Sequence, residues 1–206
     1  MKKGSYFADF VPFRTSDAEQ TEMLKGMGHA IFYPDHFVIA DYPFTFSAAF
    51  DRKPVFTTFI ENIDLSSGPI TVKVKNELIF ISAEQRNEVE VFATRNDLPL
   101  VKRPAIWDWI LEPFLDTEYT DEMDERLGKL LSKYGLDEHS VSALREEVGV
   151  PMLKYNFDTM LWDWCSLGLC DVLGAMRIKY KGEEYDRFYQ SAMEIALLQN
   201  KLSPDL

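Results

Sequence analysis

ITVKVK, the stretch at residues 70–75, alternates apolar and polar side chains without interruption. A period of two is typical of a β-strand that buries one face and exposes the other to water. The apolar residues of the stretch are therefore expected to face the core, while Thr71, Lys73 and Lys75 face water. A register slip of one residue would reverse this assignment, so the burial of these side chains tests the prediction directly.

Two further apolar runs follow this strand, at residues 78–81 and 89–94. The polar segment 84–87 between them is typical of a turn, so the sequence predicts that the three runs form an antiparallel meander. Upstream, residues 30–40 read AIFYPDHFVIA, in which a Pro-Asp pair separates two apolar runs. Because this pair is common in turns, the segment predicts a β-hairpin.

The back of the chain has a different period. After residue 99, apolar side chains recur about every 3.6 positions, as they do on the buried face of an α-helix. Proline in a first helical turn and glycine just after a last turn mark the expected boundaries. The predicted helices cover residues 104–115, 123–134, 137–149, 151–176 and 185–196.

These patterns together predict an α+β protein. An N-terminal antiparallel β-meander, either barrel-like or an open sheet, precedes a C-terminal helical bundle. We expect a single compact domain or two closely packed halves, 1–117 and 118–206. A meander followed by one helix resembles the order of elements in pleckstrin-homology-like domains, which are small barrels closed by a C-terminal helix. No residue motif accompanies the pattern, so no function is carried over.

The charge composition argues against two classes of partner. The 206 residues include 22 Lys and Arg against 34 Asp and Glu, a formal net charge of −12. Nucleic acids and anionic membranes are bound mainly through clusters of Lys and Arg, so we expect neither as a partner. A basic protein partner fits this charge, and self-association is an alternative.

The sequence predicts a cytoplasmic protein without a cofactor or a bound metal. No apolar run reaches the ~18 residues of a membrane span, and none near the N-terminus has the length of a signal peptide. Cys165 and Cys170 would point about 140° apart on a helix, so they neither bridge nor share a metal. The chain also contains no phosphate-binding glycine loop, no nucleophile elbow and no zinc-binding motif.

Asp163 and Asp171 are the candidate catalytic residues. Both lie in residues 160–176, MLWDWCSLGLCDVLGAM, where apolar side chains point in nearly every direction around the predicted helix. Burial raises the pKa of a carboxyl group that lacks a partner, so one interpretation is a pair of perturbed acids at a pocket. The alternative is that each acid faces solvent or pairs with Arg177, Arg187 or a tryptophan N–H.

Asp121, Glu122 and Glu125 are the candidate binding residues. They belong to a run of six carboxylates between residues 116 and 125, which precedes the first basic residue of the segment. Such a run could dock a basic partner, but acids at a helix N-terminus also stabilise the helix dipole. The spacing does not match a calcium-binding EF-hand loop.

The leading functional hypothesis is a non-catalytic binding or regulatory protein. Aromatic residues are concentrated in the first 60 positions, and those outside the core are expected to line a groove or an interface for a protein partner. The partner would be held by the acidic run, by the aromatic surface or by both. One alternative is a hydrolase that works through carboxylates, with or without a divalent metal. Another is a module that binds a small ligand or a lipid.

Overall fold

The computed structural model describes residues 16–23, 25–115, 119–159 and 166–201. In chain order the elements are α1 (Asp17–Met23), β1 (His29–Phe32), β2 (His36–Ala40), β3 (Val55–Phe56), β4 (Ile60–Asp64), β5 (Ile70–Val74), β6 (Glu77–Ile81), α2 (Arg86–Arg95), α3 (Ile106–Leu111), α4 (Asp121–Ser132), α5 (Glu138–Thr159), α6 (Leu169–Lys179) and α7 (Glu183–Ala196). The described residues divide into two compact units. The β unit comprises residues 25–104, and the helical unit comprises the described residues before 25 and after 104.

The predicted α+β class is confirmed. The described strands lie between residues 29 and 81, and helices α3–α7 follow them in sequence from residue 106 onward. The β unit contains two separate antiparallel sheets of three strands each, in the orders β1-β2-β3 and β4-β5-β6. Within the described residues these sheets stay open and do not close into a barrel, so of the two predicted forms the open sheet is correct.

The predicted hairpin is confirmed as the β1–β2 pair, with Phe32 opposite Phe37. The Tyr33 N–H donates to the His36 carbonyl oxygen at 2.8 Å, which closes the Pro-Asp turn. At the other edge of β1, the side-chain amide of Gln85 donates to the Ala30 carbonyl at 2.8 Å and accepts from the Ala30 N–H at 2.9 Å. A buried amide thus satisfies both backbone groups of this edge residue, as a neighbouring strand would.

The second sheet confirms the strand at ITVKVK but only part of its predicted exposure. All three apolar residues of the stretch are buried, and Lys75 is exposed in the turn after β5. Lys73 is half-buried beside Glu61. The prediction was wrong for Thr71, which is buried. The Arg103 side chain covers it, and Arg103 Nη1 donates a hydrogen bond to the Thr71 hydroxyl at 2.6 Å. The sequence period could not reveal that a later segment covers this position.

The predicted strand 89–94 was wrong, because these residues lie in helix α2. The segment Glu-Val-Glu-Val alternates like a strand, but Val89 and Phe92 are buried at helical spacing while Val91 is 58% exposed. The side chain of Ser82 caps the preceding 3₁₀ turn by accepting from the Glu84 N–H at 3.3 Å. Serine followed three residues later by Gln85 is a helix-start signature that competes with the strand pattern.

Three predicted helices of the back are confirmed as α3, α4 and α7. The apolar stripes of α3 and α7 are buried, and Trp107 Nε1 on α3 donates to the Ala192 carbonyl on α7 at 2.9 Å. Helix α4 buries Leu127 and Leu131, and Gly135 just beyond it has a φ of 87°, a conformation that favours glycine. No helix among the described residues has the length and apolarity needed to span a membrane.

The predicted break before Pro151 is absent, because α5 continues through it. Proline removes the N–H that would bond the carbonyl of Glu147 four residues earlier. The ammonium group of Lys179 on α6 donates to that carbonyl at 2.6 Å. A side chain from another helix thus supplies the donor that the proline lacks, and this compensation is invisible to local sequence patterns.

The predicted single helix 151–176 was wrong. Helix α6 begins only at Leu169, and residues 166–168 before it are not helical. Gly168 is therefore the N-cap residue of α6, whereas Gly174 lies inside the helix and is buried. The expected burial of Leu169 and Leu173 is confirmed, while Leu161 lies outside the described residues.

The grouping of α3 differs from the one expected from the sequence. Residues 104–115 were assigned to the β-rich half, but α3 packs on α4, α5 and α7 within the helical unit. The expected boundary near residue 117 lies outside the described residues. That the chain forms one domain stays a prediction.

Candidate functional site

The two faces of the first sheet differ in exposure. Side chains opposite each other in an antiparallel pair point to the same face, so the register separates the two sets. The inner set contains the buried residues Ala30, Phe37, Ile39 and Val55 together with the partly buried Phe32. The outer set includes Ile31, Tyr33 and Phe56, which are 42%, 43% and 38% exposed. An alternating strand pair thus presents large apolar side chains on both faces.

A row of three rings crosses one end of the outer set. The Tyr33 and His36 rings are stacked with centroids 4.7 Å apart and planes only 8° from parallel. The Phe56 ring lies 5.1 Å from the His36 ring, because His36 and Phe56 are directly paired across β2 and β3. Ile31 and Val38 form the neighbouring cross-strand pair. We call these five residues the outer aromatic face.

An ionised carboxylate lies beside this row. His36 Nδ1 and Asp35 Oδ1 are 2.8 Å apart in a hydrogen-bonded pair. The hydrogen bond from His36 holds the pKa of Asp35 below its ordinary value. The Asp35 side chain is nevertheless 69% exposed, so its charge faces solvent. The outer aromatic face therefore combines exposed rings with a negative charge at its rim.

The sequence indicated aromatic interface residues in general terms but did not identify this set. Other aromatics of the front belong to the core: Phe37, Tyr42, Phe44 and Phe80 are buried, and the Tyr42 hydroxyl accepts from the Phe80 N–H at 2.9 Å. A usable signal was present in AIFYPDHFVIA, where apolar side chains occupy both phases of the alternation. Once the hairpin is fixed, one of the two phases must lie on an outer face.

The candidate binding residues Asp121, Glu122 and Glu125 are all exposed in the first part of α4. Glu125 forms an i,i+4 ion pair with Lys129 at 2.6 Å, which lowers the pKa of Glu125. The Thr120 hydroxyl accepts from the Met123 N–H at 3.2 Å and caps this helix. We call the three exposed carboxylates the α4 acidic surface.

Asp124 of the same run has a structural role. Its carboxylate accepts from Arg145 Nη1 at 3.0 Å and from the Tyr119 hydroxyl at 2.7 Å. Arg145 is buried and also donates through Nε to the Ile110 carbonyl at 3.0 Å. Burial, together with the hydrogen bond to Asp124, raises the pKa of Tyr119 to about 12. The remaining acids of the run, Asp116 and Glu118, lie outside the described residues.

Asp171, one of the two candidate catalytic residues, lies in a polar cluster of the helical unit. Its Oδ1 accepts from the Tyr155 hydroxyl at 3.0 Å, and its Oδ2 accepts from the Gly168 N–H at 2.9 Å. Burial raises the pKa of Asp171 despite these hydrogen bonds. The other candidate, Asp163, lies outside the described residues, so the predicted pair is not tested.

The sequence did not identify the second acid of this cluster, Asp108 on α3. A β-carbon on Gly168 would come within 3.0 Å of Asp108 Oδ1, so this carboxyl group lies directly against the N-cap of α6. Burial, reinforced by the charge of Asp171, raises the pKa of Asp108 to about 6. We call Asp108, Tyr155, Gly168 and Asp171 the carboxyl cluster. No local pattern marks Asp108, because its neighbours in the cluster come from helices distant in sequence.

The chemistry available to the carboxyl cluster is proton exchange. Burial and the charge of Asp171 also raise the pKa of Tyr155 and of the thiol of Cys170, so both stay protonated at neutral pH. Within the described part of the chain, no group of three or more His, Cys, Asp or Glu side chains is arranged to hold a metal ion.

Comparisons of the chain with protein-family models, with curated proteins and with solved structures find no match.

Proposed function

We propose that this chain is a non-catalytic cytoplasmic binding or regulatory protein that holds a basic protein partner through its outer aromatic face. The observation that carries the proposal is the exposure of Ile31, Tyr33 and Phe56 together on one side of a small sheet. Aromatic side chains are enriched in the buried centres of protein interfaces. A contiguous face of this kind is more informative than single exposed apolar residues elsewhere on a surface.

The face is suited to binding because its rings are already ordered. Tyr33 is held against His36 by stacking, and Phe56 is held opposite His36 by strand pairing. Ordering side chains on association costs about 0.5–1.5 kcal/mol for each rotamer-rich group. Because the row is fixed before the partner arrives, little of this cost remains to oppose binding.

The charge of the chain supports a basic partner. The net charge of −12 and the α4 acidic surface attract cationic proteins over distances comparable to the Debye length. Electrostatic attraction of this type mainly accelerates association and excludes acidic competitors. The apolar contact on the outer aromatic face then determines how long the complex lasts.

The test compares two double variants immobilised in a lysate of the source cells. Y33S/F56S removes two rings of the face, while the control V91S/V150S removes two apolar side chains on helices that are more exposed still, at 58% and 59%. We expect the wild type and the control to retain the same protein at moderate salt and Y33S/F56S to lose it. Retention of that protein by all three chains would contradict the proposal. Circular dichroism and urea melts establish that each variant is folded.

The carboxyl cluster favours a second candidate, a carboxylate-dependent hydrolase. The observation behind it is that two neighbouring acids, Asp108 and Asp171, both have raised pKa values. Groups of this kind are suited to general acid and base catalysis near neutral pH. The test is hydrolysis of chromogenic esters and glycosides by the wild type, D108N and the exposed control D121N. Turnover lost only in D108N would support this candidate, and no turnover by the wild type would remove it.

A further inference from the structure

We infer that the outer aromatic face receives an arginine side chain of the partner, stacked on the Tyr33–His36–Phe56 row and paired with the Asp35 carboxylate. The inference rests on the proposed function and specifies the chemical group that the face recognises. It begins from the placement of a negative charge directly beside exposed rings. Asp35 belongs to the same hairpin turn as Tyr33, and its carboxylate oxygen Oδ1 is 2.8 Å from His36 Nδ1.

Other aromatic rings of the chain already lie against cationic side chains. The Lys75 ammonium lies 5.7 Å from the centre of the Phe59 ring, and the Arg145 guanidinium lies 5.9 Å from that of Tyr119. Among the described residues, no lysine or arginine is placed in this way over Tyr33 or Phe56. The rings of the outer aromatic face therefore have the chemistry that binds a cation, with their exposed surfaces still open to one.

Arginine fits this arrangement better than lysine for geometric reasons. Its guanidinium is planar, so it can lie flat against a ring while its edge donates hydrogen bonds to a carboxylate. It is also more weakly hydrated than an ammonium, which lowers the cost of bringing it onto an apolar surface. The exposed Asp35 carboxylate already accepts from His36 through one oxygen, and the solvent-facing group has further acceptor capacity for a guanidinium.

The hydrophobic part of the face completes the contact. Ile31 and Val38 continue the surface away from the rings as a cross-strand pair. The three methylenes of an arginine stem can cover such a surface while the head group reaches the rings. A neutral isostere of arginine would keep these apolar contacts and lose the cation–π attraction. That difference makes the inference testable without knowledge of the partner.

The experiment is an NMR titration of the full chain with two short capped peptides, one containing arginine and one containing citrulline at the same positions. We expect the arginine peptide to shift the signals of Tyr33, His36 and Phe56. Its affinity should exceed that of the citrulline peptide by about two- to fivefold, the range for an exposed cation–π contact. A lysine peptide should fall between the two.

Two variants assign the effect to the carboxylate at the rim. D35N should lower the arginine affinity part of the way toward the citrulline value, because the ion pair is lost while the cation–π contact remains; D97N, which removes an exposed carboxylate elsewhere in the β unit, should leave it unchanged. Equal affinities for the two peptides, or shifts confined to the α4 acidic surface, would overturn the inference. The capture experiment is independent, since a partner lost in Y33S/F56S would uphold the proposed function even if the arginine peptide failed to bind.

Discussion

The outer aromatic face and the carboxyl cluster depart from the usual distribution of side chains in opposite ways. The face leaves Tyr33 and Phe56 exposed to water, whereas the cluster keeps the carboxyl group of Asp171 partly buried. Each arrangement costs folding free energy, because exposed rings forgo burial and a buried carboxylate loses hydration. The two regions differ in how the chain compensates for these costs.

Compensation in the carboxyl cluster comes from within the chain. Asp171 accepts hydrogen bonds from Tyr155 and Gly168, so a structural role accounts for its position. Ring contacts order the outer aromatic face but leave Tyr33 and Phe56 more than a third exposed. Hydrogen bonds within the chain account for the position of Asp171, so no ligand is needed to explain it. The exposed rings of the outer aromatic face, in contrast, become buried only when a second molecule binds. Binding is for this reason the leading proposal.

The first prediction, which has the greatest expected loss of stability, tests whether the outer aromatic face is open to solvent. Ile79 on β6 is fully buried and Ile31 on β1 is 42% exposed, so the same change at both positions isolates the effect of burial. We expect I79A to lower the free energy of unfolding by about 3 kcal/mol and I31A by less than about 1 kcal/mol. Urea melts at one pH give both values. Equal losses would mean that the face is covered in solution.

The next prediction concerns the free edge of β1, where the Gln85 side chain bonds the backbone N–H and carbonyl of Ala30. Replacing Gln85 by leucine keeps a side chain of similar size but leaves the Ala30 N–H and carbonyl without their partners. We expect Q85L to destabilise the protein by about 2 kcal/mol, the usual cost of unsatisfied buried polar groups. The control Q190L changes an exposed glutamine on α7 and should have little effect. Similar melts for the two variants would remove the assigned role of Gln85.

A third prediction concerns the free energy of unfolding that the charged Asp108 side chain costs in the carboxyl cluster. The pKa of Asp108 is raised to about 6, so the folded state binds a proton more tightly than the unfolded state does. Its contribution to stability therefore increases as pH falls through about 6 and is fully present below the unfolded pKa near 4. We expect D108N to stabilise the protein at about pH 7.5 by about 1–2 kcal/mol, and by less at about pH 5.

The pH range matters because other carboxylates act in the opposite direction. Asp35, Glu125 and Asp137 have lowered pKa values, so their contributions are lost only as pH falls below the ordinary range for carboxylates. Urea melts of the wild type, D108N and D121N between about pH 5 and pH 7.5 avoid that region. A D108N variant that is less stable than the wild type at pH 7.5 would show that the Asp108 charge is stabilising.

The smallest expected effect on stability concerns the α4 acidic surface. Neutralising Asp121, Glu122 and Glu125 together should change the free energy of unfolding by no more than about 0.5 kcal/mol, since all three are exposed. Association with the captured partner should slow roughly threefold to tenfold at low salt and depend less steeply on salt concentration. Stopped-flow rates from about 50 to about 500 mM salt measure both. Unchanged rates in the variant would exclude this surface from the contact.

Local sequence patterns predicted much of the secondary structure correctly. The hairpin, the strand at ITVKVK and the stripes of α3 and α7 each have a clear hydrophobic period, and each is present. Errors arose where two local patterns competed. In α2 the alternation of residues 88–91 suggested a strand, but the helix forms because it buries Val89 and Phe92 together.

Candidate site residues were predictable only where exposure follows from sequence. Asp121, Glu122 and Glu125 are exposed at the start of α4, which fits both interpretations of the acidic run, and their role in binding stays a prediction. Burial raises the pKa of Asp171, in the direction that one of the two interpretations required, but its pairing with Asp163 at a pocket stays a prediction. Asp108 and the row formed by Tyr33, His36 and Phe56 were not foreseen, because each depends on which elements become neighbours.

The fold class, the charge and most of the residues that face the core follow from the amino-acid sequence, because hydrophobic periodicity acts within a single element. Three contacts depend instead on how the elements pack: Lys179 satisfies the carbonyl freed by Pro151, Arg103 covers Thr71, and Gln85 completes the edge of β1. Each of these contacts joins residues at least 32 positions apart in the chain. Such pairings follow from the packing of whole elements, and the hydrogen-bonding needs of individual backbone groups are met only after that packing is fixed.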